Sequence, residues 1–355
     1  MQSVDVINRY RPDYPLEIGL VVTTRCNFRC LHCSAVQPTI GFKDMSRKLV
    51  HTLLQEFIEE NAFTINVTGG EPFLYPHIWE VLDRIEESQC ELHLNSNFST
   101  LKKTDIERLA AFYNIHHIDV TFHAGRSRFN DFTGNDLKVY DKIMENIRHA
   151  NSLGLRIAIT TTINNYNKKS FEEIVRDVSM LNGNAPIVAT LTHPAGRGLK
   201  NWDILKIKPS ERKELELFMT DTAAKYGVEV VLQTNFPAKN YSPKYMKTAL
   251  RRNLTGCPCG EFSCFVWPEG SVSWCPYSVD PFFTIGNVSD RSLRSVWNNG
   301  QVNKNKVYRY SNMKEPCKWC TFLKICKGGC PVDAHNINNS VLLNDPACPF
   351  SKRVV

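Results

Sequence analysis

Three cysteines lie within eight residues near the start of the chain, in the stretch TTRCNFRCLHCSA at positions 23–35. Their spacing is Cys26-x3-Cys30-x2-Cys33. A structural metal site usually takes four protein ligands, whereas a catalytic site keeps one coordination position open. Three thiolates can hold a [4Fe–4S] cube at three corners and leave its fourth iron open to an exogenous ligand. The alternative is a zinc knuckle completed by His32 or by a remote ligand.

Cysteine usage points to metal chemistry in the whole chain. The sequence has 13 cysteines in 355 residues and no basic-then-apolar signal peptide at its start. We therefore expect a cytoplasmic protein whose thiols bind metal or do redox chemistry, because disulfides are disfavoured in that compartment. The cysteines form two groups with Cys90 between them, and none lies within 91–256. No apolar run is long enough for a membrane span, so no membrane partner is expected.

The formal net charge of +7 suggests a nucleic-acid partner at first sight. However, lysines and arginines are scattered along the chain. The densest basic run, at 206–213, is interleaved with glutamates, which is typical of a solvated helix face. We therefore predict that the protein does not bind nucleic acid.

Short apolar runs alternate with longer amphipathic stretches over the first 200 residues. The predicted strands lie at 17–23, 64–68, 91–95, 118–122, 155–161 and 186–191. The predicted helices lie at 47–60, 76–88, 103–113, 138–153 and 170–181. Strands separated by helices indicate βαβ units and a parallel sheet. We predict an α/β fold, a partial (β/α)6 TIM-like barrel, with the chemistry at the carboxyl ends of its strands.

The predicted organisation has four parts. Residues 1–15 are an N-terminal lead-in and 16–200 form the barrel. Residues 201–255 are a connector with one helix at 209–226 and a strand at 228–232. From 256 to 355 cysteine, proline and glycine increase and regular periodicity fades. A small loop-rich domain held together by metal fits this last stretch better than one held by a hydrophobic core.

The cysteine motif after the first strand, with His32 before its last cysteine, resembles the radical S-adenosylmethionine (SAM) superfamily. The sequence GGEP at 69–72 follows the second strand, as it does in that family. The resemblance covers about residues 15–200. It implies that SAM is the missing ligand, chelating the open iron through its amino and carboxylate groups. The reduced cluster then cleaves SAM to a 5′-deoxyadenosyl radical, which abstracts hydrogen from a substrate.

The resemblance also assigns cofactor contacts to residues that follow the predicted strands. Gly69, Gly70 and Glu71 match the motif that binds the methionine amine, since glycines allow close backbone approach and the loop offers acceptors to an ammonium. Polar contacts to the ribose, the rest of the cofactor or the substrate are expected from Asn95, Ser96, Asn97, His123, Arg126, Asn167 and Arg197.

The C-terminal cysteines resemble the SPASM extension of radical enzymes, which binds two auxiliary [4Fe–4S] clusters. They lie in CPCGEFSCFVWPEGSVSWC at 257–275, in CKWCTFLKICKGGC at 317–330 and at Cys348. The resemblance assigns one cluster to Cys317, Cys320, Cys326 and Cys348. It assigns Cys330 and Cys275 to the other cluster. The alternative is a pair of zinc-ribbon-like sites.

The remaining ligands of the second auxiliary cluster stay open among Cys257, Cys259 and Cys264. The family spacing to Gly270 favours Cys257 and Cys259. A hairpin turn centred on Glu269 and Gly270 would instead place Cys264 directly across from Cys275. The surplus thiol, Cys264 or Cys257, is either a hydrogen-atom donor to a product radical or a buried structural thiol.

A ribosomally made peptide or protein side chain is the leading substrate class, because many SPASM enzymes cross-link, oxidise or epimerise such peptides. Only 16 residues precede the first predicted strand, so we expect no fused leader-peptide recognition domain and a separate recognition protein in its place. A flavodoxin or ferredoxin is the expected electron donor. The alternatives are a radical enzyme for a small molecule, such as a sugar or tetrapyrrole precursor, and a non-catalytic iron–sulfur electron carrier.

Overall fold

A ten-stranded sheet runs through the computed structural model, which describes residues 12–34, 41–181, 185–233, 257, 259–278, 281–299 and 309–348. The strand order is β10-β9-β8-β1-β2-β3-β4-β5-β6-β7. The strands are β1 (Glu17–Thr23), β2 (Thr64–Gly69), β3 (Glu91–Ser96), β4 (Ile115–Thr121), β5 (Ile157–Ile163), β6 (Ile187–Leu191), β7 (Val230–Gln233), β8 (Ser263–Val266), β9 (Ser271–Ser273) and β10 (Thr284–Asn287).

Twelve helices lie between or after the strands in the described residues, and the longer ones bury one apolar face. They are α1 (Arg47–Glu59), α2 (Ile78–Glu86), α3 (Lys103–Ala110), α4 (Phe129–Thr133), α5 (Leu137–Ser152), α6 (Phe171–Ser179), α7 (Gly196–Lys200), α8 (Trp202–Leu205), α9 (Arg212–Tyr226), α10 (Leu293–Asn298), α11 (Leu323–Cys326) and α12 (Pro331–Asn338). In α1 the side chain of Ser46 accepts from the Leu49 amide and caps the helix. The buried residues of α1 recur at helical spacing: Val50, Leu53, Leu54 and Phe57.

Strands β1 to β7 are parallel neighbours, which confirms the predicted α/β class and its parallel sheet. Their side chains alternate between the helix layer and the concave face of the sheet. In β3, Leu92 and Leu94 are buried against the helices, whereas His93 and Asn95 line a cavity on the other face. Because polar residues occupy this concave face, the space inside the curved sheet stays open. A typical TIM barrel fills this space with branched apolar side chains.

The parallel part of the sheet extends beyond the six strands predicted between 16 and 200. Strand β7 lies in the predicted connector and pairs parallel with β6, with Val188 opposite Val231. Helix α9 precedes it and ends at Gly227, which has φ +66°. The connector therefore adds a further helix and strand to the barrel sheet.

The C-terminal segment extends the same sheet on the other side of β1. Strand β8 pairs parallel with β1, with Gly19 opposite Phe265. Strands β9 and β10 follow as an antiparallel meander. The carbonyl oxygen of Phe262 accepts from the amides of Leu16 and Glu17, which fixes the start of this pairing. Strand β1 is therefore shared by the barrel and the cysteine-rich segment.

The register of the β8–β9 hairpin differs from the predicted one by one residue. Phe265 is opposite Ser273, and Val266 is opposite Val272, so Cys264 lies opposite Trp274 and the prediction that it faces Cys275 is wrong. The loop has three residues between Trp267 and Ser271, with Gly270 at φ +84°. A one-residue change of register moves a side chain to the opposite face of the sheet.

Within the part of the chain that the structure describes, no helix is long and apolar enough to cross a membrane.

We predict that Gly19→Ala will weaken the junction between β1 and β8. A Cβ at position 19 would overlap the ring of Phe265, which lies directly opposite. The expected cost is about 1–3 kcal/mol, typical of overpacking. The measurement is the unfolding midpoint of the iron-loaded protein. The double variant Gly19→Ala/Phe265→Leu should lose less than the sum of the two single changes. A Gly19→Ala protein with the wild-type midpoint would contradict this packing.

Candidate iron–sulfur and cofactor site

The three-cysteine loop begins directly after β1 and is held in place by backbone hydrogen bonds. The amides of Arg29 and Leu31 donate to the carbonyl oxygens of Thr133 and Phe132 at 2.8 and 3.0 Å. The amide of Phe28 donates to the Sγ atom of Cys26 at 3.3 Å. Cys30 is buried, and Cys26 and Cys33 are partly buried. The loop is therefore fixed at the carboxyl end of the first strand.

Burial raises the pKa of the Cys26 thiol to about 12 and that of Cys30 well above its usual value, and the neighbouring Cys33 thiol acts in the same direction on both. Thiolates in this position need a nearby positive charge, which an iron–sulfur cluster provides. Ligands of one zinc ion lie about 3.8 Å apart. Among the described residues, neither the three cysteines of this loop nor His32 belongs to a set of three ligand atoms that lie within 4.8 Å of one another. The thiol set therefore fits a larger cluster better than a single ion.

The ring of His32 lies inside the protein, next to the three-cysteine loop. It stacks on Phe132 at 5.1 Å and meets the edge of His123 at 4.2 Å. Burial lowers the pKa of His32 well below its usual value, so the ring is neutral. Its Nδ1 atom is buried and has no hydrogen-bond partner in the described structure.

Gly69 and Gly70 bring the end of β2 against the cysteine loop. The amide of Gly70 donates to the Thr23 carbonyl at 2.7 Å, and the amide of Glu71 donates to the Arg25 carbonyl at 2.8 Å. A Cβ on either glycine would overlap these carbonyl oxygens. The absence of side chains is therefore a steric requirement of this contact.

The Glu71 carboxylate connects the loops after β2 and β3. It is fully buried and accepts from Ser96 Oγ at 2.8 Å, from the Asn97 amide at 2.7 Å and from the Phe73 amide at 3.2 Å. Burial raises the pKa of Glu71 to about 7, and these hydrogen bonds act in the opposite direction. With three chain donors bound to it, Glu71 positions the loop, and its contact to the methionine amine stays a prediction.

The NSN segment (Asn95, Ser96 and Asn97) at the end of β3 faces both the cavity and the cysteine loop. Asn97 Nδ2 donates to Asn27 Oδ1 at 2.9 Å, and Asn27 lies between the first two cysteines. Asn95 Nδ2 donates to Asn66 Oδ1 at 2.5 Å. Asn95, Ser96 and Asn97 all line the cavity. The role of Asn27 was missed in the sequence, although its position inside the cysteine motif was a usable signal.

Four predicted contacts remain, and their surroundings differ: His123, Asn167, Arg126 and Arg197. His123 lines the cavity and accepts from the Thr162 amide at Nδ1; burial lowers its pKa to about 4. Asn167 is fully buried and donates to the carbonyl oxygens of His123 and Thr162. Arg126 lies at the surface in an ion pair with Asp141 and does not line the cavity.

Arg197 holds the cysteine loop from the far side of the barrel. Its Nε donates to the Cys30 carbonyl at 2.9 Å, and its amide donates to the Cys33 carbonyl at 2.8 Å. Asn201 adds a bond from Nδ2 to the Leu31 carbonyl at 2.9 Å, a contact that the sequence did not suggest. The segment after β6 therefore adds the last set of contacts that hold the three-cysteine loop.

Apart from Cys264, the C-terminal cysteines fall into two groups of four according to which thiols act on the pKa of their neighbours. The thiols of Cys257, Cys259 and Cys330 influence the pKa of Cys275, which burial raises. In the other group, burial raises the pKa of Cys317 and of Cys326; Cys348 and Cys320 add to the rise at Cys317, and Cys348 and Cys317 add to the rise at Cys326. Each group has the four thiols that a cubane cluster takes.

Cys264 lies apart from these groups. Its neighbours Phe265 and Trp267 face the cavity, whereas Cys264 is fully buried in the apolar core on the other face of the sheet, with Ile18. The alternation of β8 and the observed hairpin register together produce this separation. Cys264 is therefore not in a position to bind a cluster or to donate a hydrogen atom in the cavity. Cys90 is also buried in the core.

A cavity of about 1480 Å³ connects the two parts of the chain. At one end its lining includes Gly69, Gly70 and His123. Cys259 and Cys330 of the C-terminal groups also line it. His193, from the loop after β6, bonds Asp333 at 2.8 Å and joins the two parts beside this cavity.

We predict that Gly70→Ala will disrupt the loop around the three cysteines. The atoms that a Cβ would meet are the carbonyl oxygens of Arg25 and Thr24, which are backbone and cannot rotate away. Equilibrium binding of SAM to the anaerobic, iron-loaded protein should weaken at least tenfold, about 1.4 kcal/mol. The control is Gly227→Ala, at a helix end with open space around it, which should keep its SAM affinity. Unchanged SAM affinity in Gly70→Ala would contradict this arrangement.

We predict different iron contents for two cysteine variants. Cys264→Ala should retain the wild-type iron content, because Cys264 lies outside both four-cysteine groups. Cys275→Ala should lose about 4 irons per chain, equivalent to one cubane. The measurement is iron and sulfide per chain after anaerobic reconstitution. Equal iron loss in both variants would show that the two thiols belong to one site.

Comparison with curated proteins finds relatives that span most of the chain. The mycofactocin maturase MftC of Mycobacterium tuberculosis is 25% identical over 328 residues, covering 90% of this chain and 78% of the relative. An AdoMet-dependent heme synthase of Nitratidesulfovibrio vulgaris is 22% identical, covering 95% and 92%. A PqqA peptide cyclase of Bradyrhizobium diazoefficiens is 22% identical, covering 95% and 87%.

Among solved structures, the fold is similar to that of Streptococcus suis SuiB. The SuiB structure bound to S-adenosylmethionine gives a TM-score of 0.74 at 17% identity, covering 97% of this chain and 79% of SuiB. SuiB bound to its precursor peptide SuiA gives a TM-score of 0.73 at 17% identity, covering 97% and 78%. At this level of identity the similarity establishes the fold.

Two family models match the two cysteine-bearing regions. The radical SAM superfamily matches residues 20–178, and the SPASM iron–sulfur cluster-binding domain matches residues 257–321. These regions contain the three-cysteine loop, the Gly69–Gly70 contact and most of the C-terminal cysteines. The cofactors are therefore SAM, a [4Fe–4S] cluster and auxiliary iron–sulfur clusters. The chain belongs to the radical SAM superfamily and is a SPASM-type radical SAM enzyme.

Proposed function

We propose that this enzyme is a maturase that oxidises or cross-links a side chain of a ribosomally made peptide. The observation that carries the proposal is the single cavity that reaches both Gly70 of the SAM motif and Cys330 of the C-terminal domain. Its volume of about 1480 Å³ exceeds the 300–1,000 Å³ typical of small-ligand pockets. A peptide segment can therefore lie beside SAM and reach toward the auxiliary cysteines.

The relatives support a peptide substrate over a small molecule. MftC is named as a maturase, PqqA peptide cyclase is named for its peptide, and SuiB was crystallised with a precursor peptide. The heme synthase relative represents the small-molecule alternative. A polar lining also suits a peptide backbone, which brings a donor and an acceptor at every residue.

Cys26, Cys30 and Cys33 are the residues that would hold the catalytic cluster. When bound, this cluster supplies the electron that converts SAM into methionine and a hydrogen-abstracting radical. The chain's own contribution is positioning. Gly69 and Gly70 give the cofactor access to backbone groups, and Arg197 fixes the cysteine loop through the Cys30 carbonyl.

The polar residues around the cavity keep the site neutral and ordered. Glu71 fixes the NSN segment through the Ser96 hydroxyl and the Asn97 amide. His123 accepts at Nδ1, so its proton lies on Nε2, and its lowered pKa keeps it uncharged at neutral pH. A neutral donor beside the cofactor site can bind a polar group without adding a charge.

The two four-cysteine groups would hold the auxiliary clusters, and we propose that these accept the electron left on the substrate after hydrogen abstraction. This role fits a net two-electron oxidation of the peptide. The external reductant is proposed to be a flavodoxin or ferredoxin, and a separate protein is proposed to present the leader peptide. A cytoplasmic location is proposed because a reducing compartment keeps 13 cysteines free of disulfides.

The test uses anaerobic, iron-loaded enzyme with dithionite, SAM and a synthetic copy of a short peptide encoded beside the gene. Wild-type enzyme should produce 5′-deoxyadenosine and a peptide lighter by two hydrogens. Cys30→Ala should remove both products. Cys326→Ala should keep some 5′-deoxyadenosine formation and lose peptide turnover, because its thiol belongs to an auxiliary group and not to the three-cysteine loop.

The matched control is Cys90→Ala, a buried cysteine outside the cluster groups, which should keep both products. Equal loss of 5′-deoxyadenosine in Cys30→Ala and Cys326→Ala would refute the separate roles of the two regions. An unchanged peptide together with turnover of a porphyrin or sugar precursor would favour the small-molecule class instead.

A further inference from the structure

Three histidines meet on β3 and β4, away from the cysteine loop. They are His93, His116 and His117, and one ring nitrogen from each lies within 4.8 Å of the others. The Nδ1 atoms of His116 and His117 are 2.7 Å apart. All three residues line the large cavity, yet none belongs to the SAM motif or to the cysteine groups.

A β-bulge brings these side chains together. Neighbouring residues on a strand normally point to opposite faces, so His116 and His117 should diverge. Between β3 and β4, however, the register changes from Leu92 opposite Ile115 to His93 opposite His117. His116 is therefore an extra residue on β4. Bulges are frequent beside functional sites, where they redirect a side chain.

The hydrogen bonding leaves imidazole nitrogens available as ligands. The Nε2 atom of His93 is buried and has no hydrogen-bond partner in the described structure. Burial and the two neighbouring histidines lower the pKa of His93 to about 4, so the ring is neutral. The Nδ1 atoms of His116 and His117 face one another at the hydrogen-bond distance of 2.7 Å, so a bound cation would replace the proton between them.

The Asp119 carboxylate supports this arrangement through its contact with His117. Its Oδ2 atom lies 3.4 Å from Nε2 of His117, and its Oδ1 atom accepts from Thr160 Oγ1 at 3.0 Å. A proton on Nε2 of His117 leaves Nδ1 free to bind metal. Metal-ligating histidines commonly have such a carboxylate partner on the other ring nitrogen. Glu91, 4.0 Å from His93 Nε2, adds negative charge.

We propose that His93, His116 and His117 form a binding site for one divalent cation of the zinc class. Zinc–nitrogen bonds of about 2.0–2.1 Å place tetrahedral ligands about 3.3 Å apart, a spacing that side-chain rotation can reach here. Three imidazoles leave a fourth position for water or for a group of the substrate. The site lies on β3 and β4 ahead of the carboxyl-end loops that carry the SAM motif. It does not depend on the proposed peptide activity.

The test is zinc binding by the iron-loaded holoenzyme, in which clusters occupy the cysteines. Protein is dialysed anaerobically against Zn²⁺, and zinc and iron are counted together. Wild-type enzyme should take up one zinc per chain without losing iron. His116→Ala and His93→Gln should weaken zinc binding more than tenfold, and Asp119→Asn by about tenfold. His116 is exposed, so its replacement leaves the fold intact.

The matched control is His51→Gln/His77→Gln, which removes two surface histidines beside Glu80 and should leave zinc uptake unchanged. Zinc should also raise the unfolding midpoint of the wild-type holoenzyme and not that of His116→Ala. The proposal is overturned if the iron-loaded wild-type protein takes up no zinc. It is also overturned if His93→Gln and His116→Ala bind zinc as tightly as wild type does.

Discussion

The backbone pairing on both sides of β1 is the constraint on which the rest of the structure depends. On one side β1 pairs with β2, whose Gly69 and Gly70 contact the cysteine loop. On the other side it pairs with β8, which begins the C-terminal extension of the sheet. Gly19 makes this second pairing possible, because the Phe265 ring occupies the place of its side chain. One strand therefore sets the position of both cysteine-bearing regions.

The sheet produces an open, polar interior from ordinary strand alternation. Apolar residues such as Leu92 and Leu94 pack against the helices, and polar partners face inward. The same interior connects the SAM motif, the C-terminal cysteines and the histidine cluster. An unfilled interior lowers stability, but it leaves the space that a cofactor and a substrate need. Function in this chain thus depends on this open interior as much as on the packed core.

Local patterns in the sequence predicted the features that depend on nearby residues. The spacing of Cys26, Cys30 and Cys33 gave the open cluster site, and alternating apolar runs gave β1 with its observed limits. The role of Glu71 was harder to predict, because its donors come from the next loop. Arg126 looked like a cofactor contact but pairs with Asp141, whose proximity only the tertiary structure reveals.

Features set by register could not be predicted from spacing. A two-residue turn and a three-residue turn both suit the PEGS sequence, yet only the observed three-residue loop puts Cys264 opposite Trp274 and so leaves Cys275 on the other face of the sheet. The bulge at His116 is similar, since a strand of regular pleat would separate it from His117. In both cases a single inserted residue decides which side chains meet.

We propose that one chain holds three separate cubane sites around a shared cavity. The most direct measurement is iron and sulfide per chain in anaerobically reconstituted wild-type protein and in the triple variant Cys26→Ala/Cys30→Ala/Cys33→Ala. We expect about 12 irons in the wild type and about 8 in the variant. About 4 irons in the wild type, with zinc bound by the C-terminal cysteines, would contradict it, because the cavity would then reach only one cluster.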